Sequence, residues 1–227
     1  MALAAQKIMV FVPLYPRGTG IPPRERITRQ TVESVERLAW KGQLTLVFDR
    51  EDNPEHGGYP NVLRKYQYGR DLALAGGFDG LLTVEADMVI PPLALERLVR
   101  LPCDVAYGLY ASRHGKHQWL AFTRIEGVKG ESLSKMPELA QKLWGSAVVT
   151  EGVGLGCTLI HRTVLEQIPF RVQENGAACD WALAQDLKEA GMRQMHDLGV
   201  VCGHVTDKGS VIWPDIEQPE LVREDNG

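Results

Sequence analysis

The chain has 227 residues, 44% of them hydrophobic and 24% charged, the balance of a globular protein that buries a real core. Its 25 basic and 29 acidic residues give a formal net charge of −4, which argues against a protein whose main affinity is blanket phosphate neutralisation. No stretch approaches the roughly 18–20 apolar residues of a membrane helix. The opening MALAAQKIMVFVPLYP has no basic n-region and no clear cleavage site, so it reads as a first core strand rather than an export signal, and a cytoplasmic location is expected.

The first half alternates strand and helix. Residues 7–14 form a short apolar run ending at Pro13, the pattern of a strand buried on both faces. Residues 28–40 place Val32, Val35, Leu38 and Ala39 on one helical face, closed by Gly42. A second buried strand spans 44–48, a second amphipathic helix 61–75 stopped by Gly76-Gly77, and a third strand 80–84. Pro91-Pro92 opens a helix through Val99. This order implies a mostly parallel sheet with right-handed crossovers.

Beyond residue 100 the pattern predicts strands at 104–112 and 118–125 around the basic turn Arg113, His114, Lys116 and His117. A short helix at 136–144, a glycine-rich loop at 151–156 and a strand at 157–161 follow. A helix at 180–190 and short strands near 193–196 and 199–205 complete the core, and the tail from Pro214 is expected to be polar and loose. The expectation is one α/β domain over 1–213, with a nucleotide-binding half (7–100), an acceptor half (101–213) and a polar tail (214–227).

Ligands of open α/β sheets bind at the carboxyl ends of the parallel strands. Glu85-Ala86-Asp87 directly follows the third buried strand. Two carboxylates at i and i+2 there can address one hard divalent cation, Mg²⁺ or Mn²⁺, which would bridge diphosphate oxygens; a water-facing polar cap is the plainer alternative. The loop Gly152-Val153-Gly154-Leu155-Gly156 precedes a strand instead of opening a helix, so it is not a dinucleotide fingerprint. Its glycines let the backbone pass close to a ligand or take positive φ, or simply make a tight turn. Asp180 begins a helix, where a cap and a general base are both open roles. His204 closes the apolar strand VVCGHV. Cys103, Cys157, Cys179 and Cys202 contain no C-x-x-C pair, so reduced, mostly buried thiols are expected, with a Cys202–His204 zinc site as the minor reading.

Taken in order, these segments resemble the GT-A glycosyltransferases, in particular the family-two-like group of small bacterial and phage enzymes. The resemblance is carried by Val12-Pro13-Leu14-Tyr15, Val47-Phe48-Asp49, Arg70-Asp71 through Gly77, Glu85-Ala86-Asp87, Gly108-Leu109-Tyr110 with Arg113, Gly152 to Cys157 with Thr158-Leu159-Ile160, Cys179-Asp180-Trp181 and Gly203-His204. It spans roughly residues 7–208. It implies a Rossmann-like α/β/α sandwich with a mostly parallel mixed sheet, and transfer of a sugar, a hexose by expectation, from a UDP- or GDP-sugar to an acceptor hydroxyl.

The resemblance also assigns roles. Glu85, Asp87 and His204 would hold Mn²⁺ or Mg²⁺; Pro13, Tyr15, Asp49, Arg70 and Lys208 would bind the donor; Gly154 and Trp181 would meet the acceptor or sugar; Asp180 would be the catalytic base. The acceptor is left open among a glycan, a protein, a lipid-linked sugar and modified nucleic acid. Three positions depart from the group's pattern: Glu85 stands for the first aspartate, Asp71 for an asparagine and Cys179 for a glutamate. A sugar nucleotidyltransferase, of whose glycine-rich loop Arg17-Gly18-Thr19-Gly20 is a faint echo, and a non-catalytic nucleotide-sugar-binding protein are the competing readings.

Overall fold

The structure is a computed structural model that describes residues 6–14, 27–51, 59–112, 118–126, 129–152, 154–172, 179–219 and 221–225. Tyr15, the Arg17–Gly20 segment, Val153 and the basic turn 113–117 lie outside the described residues.

A seven-stranded sheet forms the centre. Its strands are β1 (Lys7–Pro13), β2 (Gln43–Asp49), β3 (Gly80–Val84), β5 (Val105–Leu109), β8 (Ala147–Val149), β10 (Cys157–His161) and β11 (Gln194–Val201), in the order β2-β1-β3-β10-β5-β11-β8. β1 pairs parallel with β2 and β3, β5 pairs parallel with β11, and β10 and β8 pair antiparallel with their neighbours. The sheet is thus mixed, with its parallel strands sharing one direction. Strands from both halves of the sequence interleave, because β10 inserts between β3 and β5.

Helices cover both faces. Along β1, Ile8, Val10 and Val12 face a core shared with Val35 of α1 (Arg29–Glu36) and Leu95 and Leu98 of α3 (Ala94–Val99). Met9 and Phe11 face the opposite core, closed by Tyr66 and Ala73 of α2 (Tyr59–Ala75), Val164 and Leu165 of α5 (Arg162–Gln167), and Leu183 and Leu187 of α6 (Cys179–Glu189). This period-two alternation within a run apolar on both sides is what a strand between two helical layers requires. Each large side chain fully buried there contributes about 1.5–3 kcal/mol.

Among the described residues, two smaller sheets flank the centre. One has the order β14-β13-β12-β4, from β14 (Val222–Asp225), β13 (Val211–Pro214), β12 (Gly203–Val205) and β4 (Met88–Val89). The other joins β7 (Lys129–Ser132), β6 (Ala121–Glu126) and β9 (Glu151–Gly152), next to a 3₁₀ turn (Leu133–Lys135) and α4 (Pro137–Leu143).

The structure corrects several expectations. The tail is not loose throughout: β14 pairs antiparallel with β13, from Val211 opposite Asp225 to Pro214 opposite Val222, and Ser210 Oγ donates to Glu224. Polar composition hid this strand because Arg223, Glu224 and Asp225 are all exposed, so no alternation of apolar and polar residues marks it. The run 199–205 is not one strand; it breaks at Cys202, passing from β11 in the central sheet to β12 in the flanking one. The strand at 118–125 is regular only from Ala121, with Trp119 held to Ala111 by an isolated bridge.

Candidate metal and catalytic site

Glu85, Asp87 and His204 converge beyond the carboxyl end of β3, each offering a ligand atom, with those atoms all within 4.8 Å of one another. Backbone pairing assembles them across more than half the chain. β12 runs antiparallel to β4 with His204 opposite Met88 and Gly203 opposite Val89, and Val205 N donates to Asp87 O at 2.7 Å. From the other side, α1 grips the intervening Ala86 carbonyl through Thr28 N at 2.8 Å and Thr31 Oγ1 at 3.0 Å. The Ile90 amide is held by Ser34 Oγ at 3.2 Å. Thr28 also caps α1, its side chain accepting from Thr31 N.

The histidine is oriented for ligation. His204 Nδ1 lies 2.9 Å from the Ala111 carbonyl. A carbonyl only accepts, so Nδ1 carries the proton and Nε2 faces Asp87 Oδ2 at 3.5 Å. Burial lowers the His204 pKa, but contact with Asp87 and the charge of Glu85 overcome it and leave the ring more basic than usual. Glu85 is pushed up to about 8, first by burial, then by the charge of Asp87, with Asp180 adding to it and His204 opposing. Crowded acids with an inward-facing imidazole nitrogen fit a hard divalent cation taking oxygen and nitrogen ligands, as Mn²⁺ or Mg²⁺ does.

Asp180 stands in the first turn of α6 with its Oδ1 accepting from Trp181 N at 2.9 Å. Burial raises its pKa, against the stabilising backbone N–H groups of Trp181 and its own residue, and its charge is felt at Glu85, Tyr66 and Tyr110. It therefore lies near enough to Glu85, in the cluster with Asp87 and His204, for its charge to act there. Trp181 packs against Phe122, ring centroids 5.6 Å apart.

Gly154 has φ +110°, and a Cβ there would lie 2.0 Å from Tyr110 Oη. The glycines thus serve close backbone approach, to an aromatic side chain of the protein itself.

The donor-side expectations divide. Pro13 ends β1 opposite Asp49 of β2, and Leu14 N donates to Asp49 O at 2.7 Å. The Asp49 carboxylate is already engaged: Lys65 Nζ lies 2.8 Å from Oδ2, and Glu51 N donates to Oδ1 at 3.1 Å. Lys65 also donates to Glu51 O. These groups border a cavity of about 520 Å³ that Leu63, Tyr68 and Phe170 also line. Arg70 is not brought to the cluster; its Nε donates to Leu165 O at 2.7 Å, and its NH1 group meets Asp71 at 3.2 Å. Leu165 lies in α5, which begins where β10 ends opposite Gly80, the amino end of β3. Lys208 sits exposed in the turn between β12 and β13.

Cys202 does not join His204. Its sulfur and that of Cys157 each lie 3.0 Å from the position a Cβ on Gly108 would occupy. Sequence reasoning gave no role to Lys65, Tyr66, Thr31 and Ser34, and included Tyr110 only as part of a segment. Lys65 carried a signal in retrospect, a charge on the sheet-facing stripe of an amphipathic helix, one residue before the buried Tyr66.

No known protein-family profile matches the chain, and neither does any curated protein. Solved structures do. The crystal structure of A197 from STIV is similar with a TM-score of 0.58 and 16% identity, over 98% of this chain and 95% of that one. The crystal structure of GalNAc-T7 with UDP, GalNAc and Mn²⁺ is similar with a TM-score of 0.53 and 11% identity, over 88% of this chain and 44% of that one. The chain has the GT-A fold.

Proposed function

We propose that the protein is a divalent-metal-dependent glycosyltransferase that moves a sugar from a UDP- or GDP-sugar to an acceptor hydroxyl. The observation that carries this reading is the convergence of Glu85, Asp87 and His204 at the carboxyl end of β3, with Asp180 near enough for its charge to act on Glu85.

Glu85, Asp87 and His204 Nε2 would hold Mn²⁺ or Mg²⁺. The bound cation would supply positive charge to the leaving nucleoside diphosphate. Ala111 keeps the His204 proton on Nδ1, so Nε2 stays a donor atom for ligation. Asp180 has Oδ1 committed to Trp181 N, which leaves Oδ2 to take the proton of the acceptor hydroxyl. Burial raises its basicity toward that task. Pro13 and Asp49, adjacent at the ends of β1 and β2, would meet the nucleoside, and Gly154 and Trp181 would border the acceptor side. Tyr15 and Lys208 remain donor-binding assignments of the resemblance.

The test is donor hydrolysis: purified protein, Mn²⁺ and a panel of nucleotide-sugars, with released nucleoside diphosphate as readout. Release from one donor, abolished by chelation, supports the reading. Release of pyrophosphate from a sugar phosphate and a nucleoside triphosphate identifies a nucleotidyltransferase instead. Metal-dependent donor binding without turnover, with acceptor panels included, identifies a non-catalytic binding protein.

A further inference from the structure

We propose that Tyr110 is a positioning residue that sets the metal-ligand geometry by holding the 154–156 loop against Glu85; this rests on the metal reading above. Tyr110 directly follows β5 and is buried. Gly156 N donates to its hydroxyl at 3.0 Å. The same loop holds Glu85 at its backbone, where Glu85 N donates to Gly156 O at 3.2 Å, and it brings the Leu155 backbone beside the Glu85 carboxylate. Thr158 Oγ1, donating to Gly154 O at 3.0 Å, fixes the loop's other end.

The loop lies flat on the tyrosine because it has no side chains there. A Cβ on Gly154 would stand 2.0 Å from Oη, and one on Gly156 2.7 Å from Cζ. The Tyr110 ring also meets His204, with centroids 6.0 Å apart and planes at 76°. One side chain therefore borders two of the three ligands, reaching Glu85 through the loop and His204 directly.

Glu85 is where such support matters. A glutamate has one more rotatable bond than an aspartate, so placing its carboxylate costs more side-chain entropy, and anchoring its backbone to the loop limits that cost. Partners that orient metal ligands typically govern affinity by roughly 10–100-fold.

The test uses the full chain. Tyr110→Phe keeps the ring and removes the acceptor of the Gly156 N–H. Gly154→Ala leaves Tyr110 and the ligands intact and pushes the loop off the ring, so it serves if Tyr110→Phe does not fold. Mn²⁺ affinity is measured by electron paramagnetic resonance, and exchange of the Leu155 and Gly156 amides by hydrogen–deuterium exchange in metal-free protein. The proposal expects Mn²⁺ binding to weaken by roughly tenfold or more and both amides to exchange faster. Unchanged Mn²⁺ affinity in a folded variant, even with a lower melting temperature, would mean a purely structural tyrosine and overturns the proposal. A wild-type protein that binds no Mn²⁺ overturns the metal reading itself, and this inference with it.

Discussion

His204 Nε2 stands 3.5 Å from Asp87 Oδ2, and backbone pairing sets that separation. His204 lies opposite Met88 in the β12–β4 ladder, and the next residue, Val205, donates its amide to the Asp87 carbonyl. The side chains meet because the main chains are already paired.

Asp87→Ala is therefore expected to leave the fold intact, since none of that pairing uses the side chain. Turnover should fall by at least about a hundredfold, the scale of losing a preorganised electrostatic contribution. Thermal melting and donor hydrolysis on the same preparation check both halves. Unchanged turnover would contradict the ligand assignment.

Asp180→Asn separates the proposed base from the proposed metal site. An amide still accepts the Trp181 N–H but takes no proton. Mn²⁺ binding should persist while transfer to acceptor drops by roughly 10²–10⁴-fold, the usual contribution of a general base. Equal losses of metal binding and transfer would instead place Asp180 in the ligand set.

The Asp49–Lys65 pair is nearly inaccessible, with side-chain exposures of 7% and 5%. Lys65→Met strands a buried carboxylate and should cost about 3–5 kcal/mol in urea denaturation. Asp49→Leu combined with Lys65→Met removes both charges and is expected to recover most of that loss. A double variant as unstable as the single one would show that Lys65 acts through its bond to Glu51 O instead.

His196 provides the pH dependence. Burial drives its pKa down to about 3, opposed by a hydrogen bond to the Leu120 backbone. The groups facing it are the Tyr107 ring, stacked at 4.8 Å, and the Thr150 hydroxyl 2.7 Å from Nδ1. The unfolded chain takes up a proton near pH 6.5 while the folded one does not, so this contribution is complete above that pH. It is lost as pH falls toward 3, by about 1.4 kcal/mol per unit. Denaturation midpoints at pH 7 and pH 5 measure it, and His196→Gln should flatten the difference. An equal difference in wild type and variant would assign the acid sensitivity elsewhere.

Much of this was legible in the sequence because it was local. β1, β3 and α2 announced themselves through period and stop residues, and Glu85 with Asp87 lay at a strand end where α/β sheets bind ligands. The partnership of Asp87 with His204 was readable only through resemblance, since nothing in the spacing of residues 87 and 204 reveals an antiparallel ladder. The Lys65–Asp49 pair and the Tyr110–Gly156 bond were invisible for the same reason: each joins residues whose proximity is a product of sheet order. The bond of Arg70 to Leu165 O was equally invisible, because a helical arginine looks alike in sequence whether it faces a ligand or a neighbouring helix's carbonyl.

The most direct measurement is calorimetric titration of nucleoside diphosphates into the protein with and without Mn²⁺, for wild type and Asp87→Ala. The account predicts binding of UDP or GDP that requires Mn²⁺ and disappears in the variant. Binding that is the same without metal, or the same in Asp87→Ala, would contradict it.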